Sequence, residues 1–251
     1  MKGLGPLLIK ELKEQLRTYR LVIVAGIFLF FGLSTPLMLK YLPQILELAG
    51  EQMEINIPPP TAVQSLTEYS GTISQVGVLV AVLIAMGCIA SELRQGTAMM
   101  TLSKPVSRLA FVSGKLIAMS LTFLASMIAA SAFCYAYTVW LIEPADIIAF
   151  IGLNLLLGLF LIFCLSVTML FSSFFRNSLA AGGVSLALLV AQGGLSAIPR
   201  FGDYMPGKLA SWGNNLLMGS DESNWWALAI TVIIILLCVY FAQHRLRYSD
   251  L

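Results

Sequence analysis

Six stretches of the chain run for about twenty residues without one Asp, Glu, Lys, Arg or His: Leu21–Leu39, Thr72–Ser91, Leu116–Ile142, Ile147–Phe175, Leu179–Ile198 and Trp225–Gln243. A bilayer core about 30 Å thick is crossed by about 20 apolar helical residues. Lipid offers no partner to an unpaired backbone group, so each window reads as a transmembrane helix; a barrel would show shorter, alternating stretches. Composition agrees, with 58% hydrophobic residues, 11% charged and a mean hydropathy of +0.86, where soluble domains carry about 25% charged residues. The expected fold is therefore all-α and polytopic, a transmembrane domain over 21–251 with spans near 21–41, 72–91, 116–142, 147–175, 179–198 and 225–243. The first window is too long for a cleavable signal peptide and lacks a small-residue cleavage site, so insertion is expected through the spans themselves.

Charge orients these spans. Lys2, Lys10, Lys13, Arg17, Arg20, Arg94, Lys104, Arg108, Lys115, Arg176, Arg245 and Arg247 fall on one side, with Glu11, Glu14, Glu92 and Asp250. The other side holds only Lys40, Arg200 and Lys208 among nine acids, a net −6 against +8. Both termini are expected in the cytoplasm, in the plasma (inner) membrane of a prokaryote. The basic side reads as topology rather than as a nucleic-acid site.

Ahead of the first span, residues 1–20 form an expected interfacial amphipathic helix: Leu4, Leu8, Leu12, Leu16 and Tyr19 share one stripe, and Lys10, Lys13, Arg17 and Arg20 the opposite face. Membrane lipid alone, or lipid together with a cytoplasmic partner, would satisfy it. The outer segment Tyr41–Gly71 contains a Pro58-Pro59-Pro60 run suited to extended backbone, with room for a short helix over Gln44–Met53. The second long outer loop, Pro199–Asn224, carries Gly202, Pro206, Gly207 and Gly213 as breakers. Trp140, Trp225, Trp226 and Tyr41 sit where an aromatic belt would. Only Glu143-Pro144-Ala145-Asp146 joins spans three and four, which makes them an antiparallel hairpin. Span five presents Gly183, Ala187 and Ala191 at small-xxx-small spacing, fit for packing within the chain or between two copies.

Several chemistries lack their residues. The spans hold no ionisable group for an ion-coupled carrier, although a carrier or channel acting without an ATPase is the alternative to the reading below. The one histidine, His244, lies beyond the last span, which leaves an intramembrane hydrolase without a base. Cys88, Cys134, Cys164 and Cys238 all lie inside spans and not at metal-ligand spacing, so neither a metal site nor a catalytic residue is expected. No phosphate loop of the form Gly-x-x-x-x-Gly-Lys-Ser/Thr occurs in these residues.

The informative segment joins spans two and three, from Ser91 through Glu92, Arg94, Gly96, Thr97, Met100, Leu102, Ser103, Pro105 and Arg108 to Gly114-Lys115. Gly96 bends the chain, Thr97–Leu102 can make one or two apolar turns, and Pro105 stops them. Such a turn leaves Ala98, Met99, Met100 and Leu102 in water and calls for a partner groove. The run of Glu92, Gly96-Thr97, Leu102-Ser103, Pro105, Arg108 and Gly114-Lys115 resembles the ABC type-2 transporter permeases, as do the Ser172–Ser178 turn and the small-residue span five. Within that family it looks most like the multicopper-enzyme maturation permeases, such as those of nitrous oxide reductase maturation. The resemblance implies a coupling helix in this loop, with Glu92, Gly96, Thr97, Ser103, Pro105 and Arg108 at the matching positions. It also implies an ABC ATPase partner, in two copies, that binds ATP and Mg, and a permease homodimer, the whole acting as an exporter. This chain would hold no cofactor and would not itself be an enzyme.

Overall fold

The computed structural model describes residues 4–48, 59–97, 107–196, 198, 201–220 and 222–248. Among them every regular element is helical: α1 (Leu4–Arg17), α2 (Arg20–Leu48), α3 (Ala62–Ala85), α4 (Ala90–Gln95), α5 (Arg108–Leu141), α6 (Ile147–Phe174), α7 (Ser178–Ser196), a 3-10 turn (Gly202–Tyr204), α8 (Lys208–Leu217) and α9 (Trp225–Tyr248). Among the described residues six stretches are long and apolar enough to cross a membrane, namely α2, α3 with α4, α5, α6, α7 and α9.

Helix α6 is the axis of the bundle and packs against α3, α5, α7, α8 and α9. Half of the residues in the apolar stretches of α3–α4, α5 and α6 are buried, against 22% to 28% in α2, α7 and α9. The first three therefore form the inner layer, and the other three leave most of their surface to whatever surrounds the bundle. α2 lies along α5, where Phe28 meets Phe123 edge to face at 5.7 Å. Gly32 makes that approach possible: a Cβ there would stand 2.8 Å from the Ala130 carbonyl oxygen.

The helices outrun the charge-free windows at several ends. α2 continues through Tyr41 to Leu48, where a loop and a separate short helix were expected. Pro36 lies within it, and the Ser34 and Thr35 hydroxyls donate to the Phe31 carbonyl in the turn the proline disturbs (3.3 and 2.7 Å). α3 begins at Ala62, ten residues before its window, because its first turn has ready partners. Thr61 Oγ1 accepts from the Gln64 N–H (3.2 Å), and the Glu143 carboxylate accepts from the Ala62 N–H (2.9 Å). Across the same end, Lys40 donates to the Leu141 carbonyl at the close of α5 (2.8 Å). Charges that the sequence offers as loop markers are thus helix caps. The expected hairpin is present: α5 packs on α6, Asp146 caps α6 by accepting from Ile148 N–H (2.8 Å), and the Tyr135 hydroxyl donates to Ala145 (2.8 Å).

The long loop after α7 differs most from expectation. It contains α8, which lies against α6, and Gly213 is inside that helix rather than a breaker. A Cβ on Gly213 would come within 3.0 Å of the Leu153 Cα, so the glycine serves close helix approach. Trp212, beside it, is buried, while Trp140, Trp225 and Trp226 are exposed at helix ends.

Candidate functional site

Span two does not arrive at its loop as one unbroken helix. The regular α-helix stops at Ala85 and resumes at Ala90, with a turn over residues 86–89. The peptide groups freed by this break are met from α6. Ser172 Oγ accepts from the Ile89 and Ala90 N–H groups (3.1 and 3.0 Å) and donates to the Met86 carbonyl (2.9 Å). Room for α7 beside the break comes from Gly182, where a Cβ would stand 2.8 Å from the Met86 sulfur.

Beyond the break, α4 carries the first of the sequence-picked loop residues. Arg94, Gly96 and Thr97 are exposed. Gly96 ends α4 with φ +71°, a left-handed conformation that costs a non-glycine residue about 1–2 kcal/mol. The Thr97 hydroxyl reaches back to the Glu92 carbonyl (3.5 Å). Met100, Leu102, Ser103 and Pro105 lie outside the described residues. The chain returns at Ser107, whose hydroxyl caps α5 by accepting from Ala110 N–H (3.2 Å), and the Arg108 guanidinium donates to the Leu246 carbonyl near the end of α9. Both stems of the loop are therefore pinned to the helical bundle.

Glu92 is held from below. Its Oε1 lies 2.7 Å from the Lys115 ammonium, which is buried in α5 and also 3.0 Å from Glu11 Oε1 of α1. Lys10 closes the group at 3.2 Å from Glu11, 3.3 Å from Glu14 and 3.8 Å from Glu92. Burial alone would lower the Lys10 pKa, but Glu11 and Glu92 outweigh it and the value lies above that of an ordinary lysine. The ammonium therefore stays charged across the physiological range. The three carboxylates approach within 4.8 Å, a spacing a metal could use; the two ammoniums engage one oxygen of each, and Glu92 Oε2 is buried without a hydrogen-bond partner among the described residues.

This node adds a third face to α1, beside its leucine stripe and its basic face. The line that packs on α5 is Leu7, Glu11 and Gln15, while the leucine stripe stays away from the bundle's interior: Leu4, Leu8 and Leu12 are half-buried, and Leu16 and Tyr19 are exposed. Leu7 fits against Gly114, where a Cβ would be 2.8 Å away, and the Thr122 hydroxyl bonds to Gln15 Oε1. The physical reason is Lys115, a cation at the end of a span that must bring carboxylates with it. Glu11 and Gln15 at i, i+4, in register with Leu7, were the available signal.

Of the two uses open to the small-residue face of span five, packing within the chain falls to other residues. In α7 the residues turned inward are Ala181, Gly182, Ser185, Leu189 and Gln192, whereas Gly183, Ala187 and Ala191 are exposed. Among the described residues that small-residue face is covered by no helix of the same chain. The four cysteines are all buried.

A family model described as ABC-2 family transporter protein matches residues 6–202, from α1 through the loop to the end of α7. The chain is also similar to the uncharacterized transmembrane protein YxlG of Bacillus subtilis (strain 168), at 24% identity over 253 residues that cover 98% of both chains.

Proposed function

The chain belongs to the ABC-2 family of transporter proteins, and on that premise we propose that it is the permease subunit of an exporter driven by a separate ATPase chain, with two copies of each. The observation that carries this reading is the exposed tip of α4, from Arg94 to Thr97, held on a rigid base by Ser172 and the Glu11–Lys115–Glu92 node. A surface that transmits force from a motor must be accessible at its tip and stiff at its root. α1, the loop stems and the end of α9 meet at one end of the bundle, joined by Lys115 and Arg108, and that end is the basic one. The excess of basic residues supports a cytoplasmic position for it, in reach of ATP. The likeness to multicopper-enzyme maturation permeases would add a cargo, on which the relative's name is silent.

The test is retention of the ATPase. With the chain tagged and its ATPase co-expressed, Gly96→Val should lower the ATPase recovered about tenfold, since roughly 1–2 kcal/mol of left-handed strain disfavours the docking shape by about that factor. The thermal midpoint of the permease should change little, because the tip is exposed. Transport by the isolated chain under an ion gradient, without ATP, would sink the proposal and restore the carrier alternative.

The exposed face of Gly183, Ala187 and Ala191 fits a second copy, since small residues let two helices approach closely in lipid, where packing supplies the driving force. Ala187→Leu should therefore cut the dimer fraction in detergent or nanodiscs about fivefold, as counted by single-molecule photobleaching, a drop that corresponds to about 1 kcal/mol. An unchanged dimer would move the interface away from α7.

A further inference from the structure

At the acidic end of the bundle, between the 3-10 turn, α8 and the start of α9, lies a cavity of about 470 Å³, within the range of small-ligand sites. It falls beyond residues 6–202 that the family model matches, and none of its residues belongs to the coupling machinery. Three aromatic side chains line it, Tyr204, Trp212 and Trp226, together with Asp203, Glu222 and Lys208. Trp212 is a fixed wall, buried and packed edge to face against Trp225 at 5.3 Å. Glu222 is held by the Asn215 amide, which donates to Oε2 (3.2 Å), and Lys208 stands 3.3 Å from Asp203. Two carboxylates against one ammonium leave the cavity one negative charge, within an end where the sequence sets nine acids against three bases.

We propose that this cavity binds an organic ammonium group. Aromatic faces attract a weakly hydrated cation through their quadrupole, and the attraction grows as water is excluded. A hard metal ion asks for six or more oxygen ligands and favours carboxylates, and of the two carboxylates at the cavity one is already met by Lys208 and the other by Asn215. A neutral ligand would use the aromatic walls but forgo the charge attraction of Glu222. The ammonium can come from a free amine or from a lipid headgroup at the membrane surface. The site is independent of the coupling loop, so its failure would leave the ATPase reading where it stands.

Two of the four tryptophans line the cavity and a third, Trp225, packs on one of them, which allows a direct test. In full-length chain carrying Trp140→Phe, in nanodiscs of phosphatidylglycerol, choline chloride should change the tryptophan emission saturably. The neutral isostere 3,3-dimethylbutan-1-ol and matched sodium chloride should not. Glu222→Gln should weaken choline about tenfold, the scale of one lost charge-assisted contact, and Trp226→Leu should weaken it severalfold. Lys208→Met should tighten it, which keeps the test decisive should Glu222→Gln fail to fold. In phosphatidylcholine nanodiscs, weaker apparent choline binding assigns the lipid headgroup as occupant, and unchanged binding assigns the free amine. A response absent from both lipids, one shared by the neutral isostere, or an affinity indifferent to both Glu222→Gln and Lys208→Met overturns the proposal.

Discussion

Replacing Lys115 with methionine should destabilise the chain by about 3–5 kcal/mol, the range observed when one member of a buried ion pair is removed. Methionine matches the lysine stem in length and suits a position that is 3% exposed, so the loss isolates the charge rather than the packing. What it strands are Glu11 and Glu92, whose side chains are 8% and 14% exposed and whose shared cation is gone. Lys10 remains, but its side chain is 47% exposed and its contact to Glu92 is the longer one at 3.8 Å. The stranded carboxylates should push α1 off α5, opening Leu7 from Gly114 and Gln15 from Thr122. The measurements are the thermal midpoint in detergent and the rate of proteolysis near Thr18 and Tyr19, where a left-handed Tyr19 (φ +56°) joins α1 to α2. Adding Glu11→Gln and Glu92→Gln to the methionine variant removes the stranded charges and should recover much of the loss, because neutral amides cost far less to bury. A methionine variant within about 0.5 kcal/mol of the parent, the scale of surface substitutions, would mean the node is too wet to matter.

Six spans are legible because a run of twenty residues without charge has one reading in a membrane, and the four-residue link between spans three and four leaves room only for the hairpin that Asp146 caps. Helix ends are harder. Hydrophobicity reports where lipid lies, while hydrogen bonding decides where a helix stops, so Glu68 and Lys115 sit inside helices that the charge-free windows cut short. The break at residues 86–89 has no proline or charge to announce it, and the hydroxyl that satisfies it comes from Ser172, more than eighty residues later. Glu11 and Lys115 are likewise 104 residues apart, and no local pattern pairs them. Gly213 is misleading in the opposite sense: a glycine in a loop-like segment reads as a breaker, although a close contact with Leu153 can call for one inside a helix. The site was legible as a loop, and its foundations, which are long-range polar contacts, were not.

Ser172→Ala should act on those foundations directly. The substitution removes one oxygen from a position with no solvent exposure and leaves the Ile89 and Ala90 N–H groups and the Met86 carbonyl without their side-chain partner. Unpaired buried groups cost about 1–3 kcal/mol each. If two of the three stay unmet, the loss is about 2–6 kcal/mol on that principle; if the span instead closes into a continuous helix through residues 86–89, the loss is smaller but α4 is rotated and displaced. The two outcomes separate by measurement. Faster amide exchange at Ile89 and Ala90 with a lowered thermal midpoint marks the open break, and slower exchange with a near-parent midpoint marks the closed one. Either change moves Glu92 relative to Lys115 and should reduce ATPase retention more than the thermal shift accounts for. Ser172→Thr keeps the hydroxyl, so with modest strain from its extra methyl it should preserve slow exchange and retention. Parent-like exchange, stability and retention in the alanine variant would show that the break is held by backbone packing alone and that Ser172 does not set the loop.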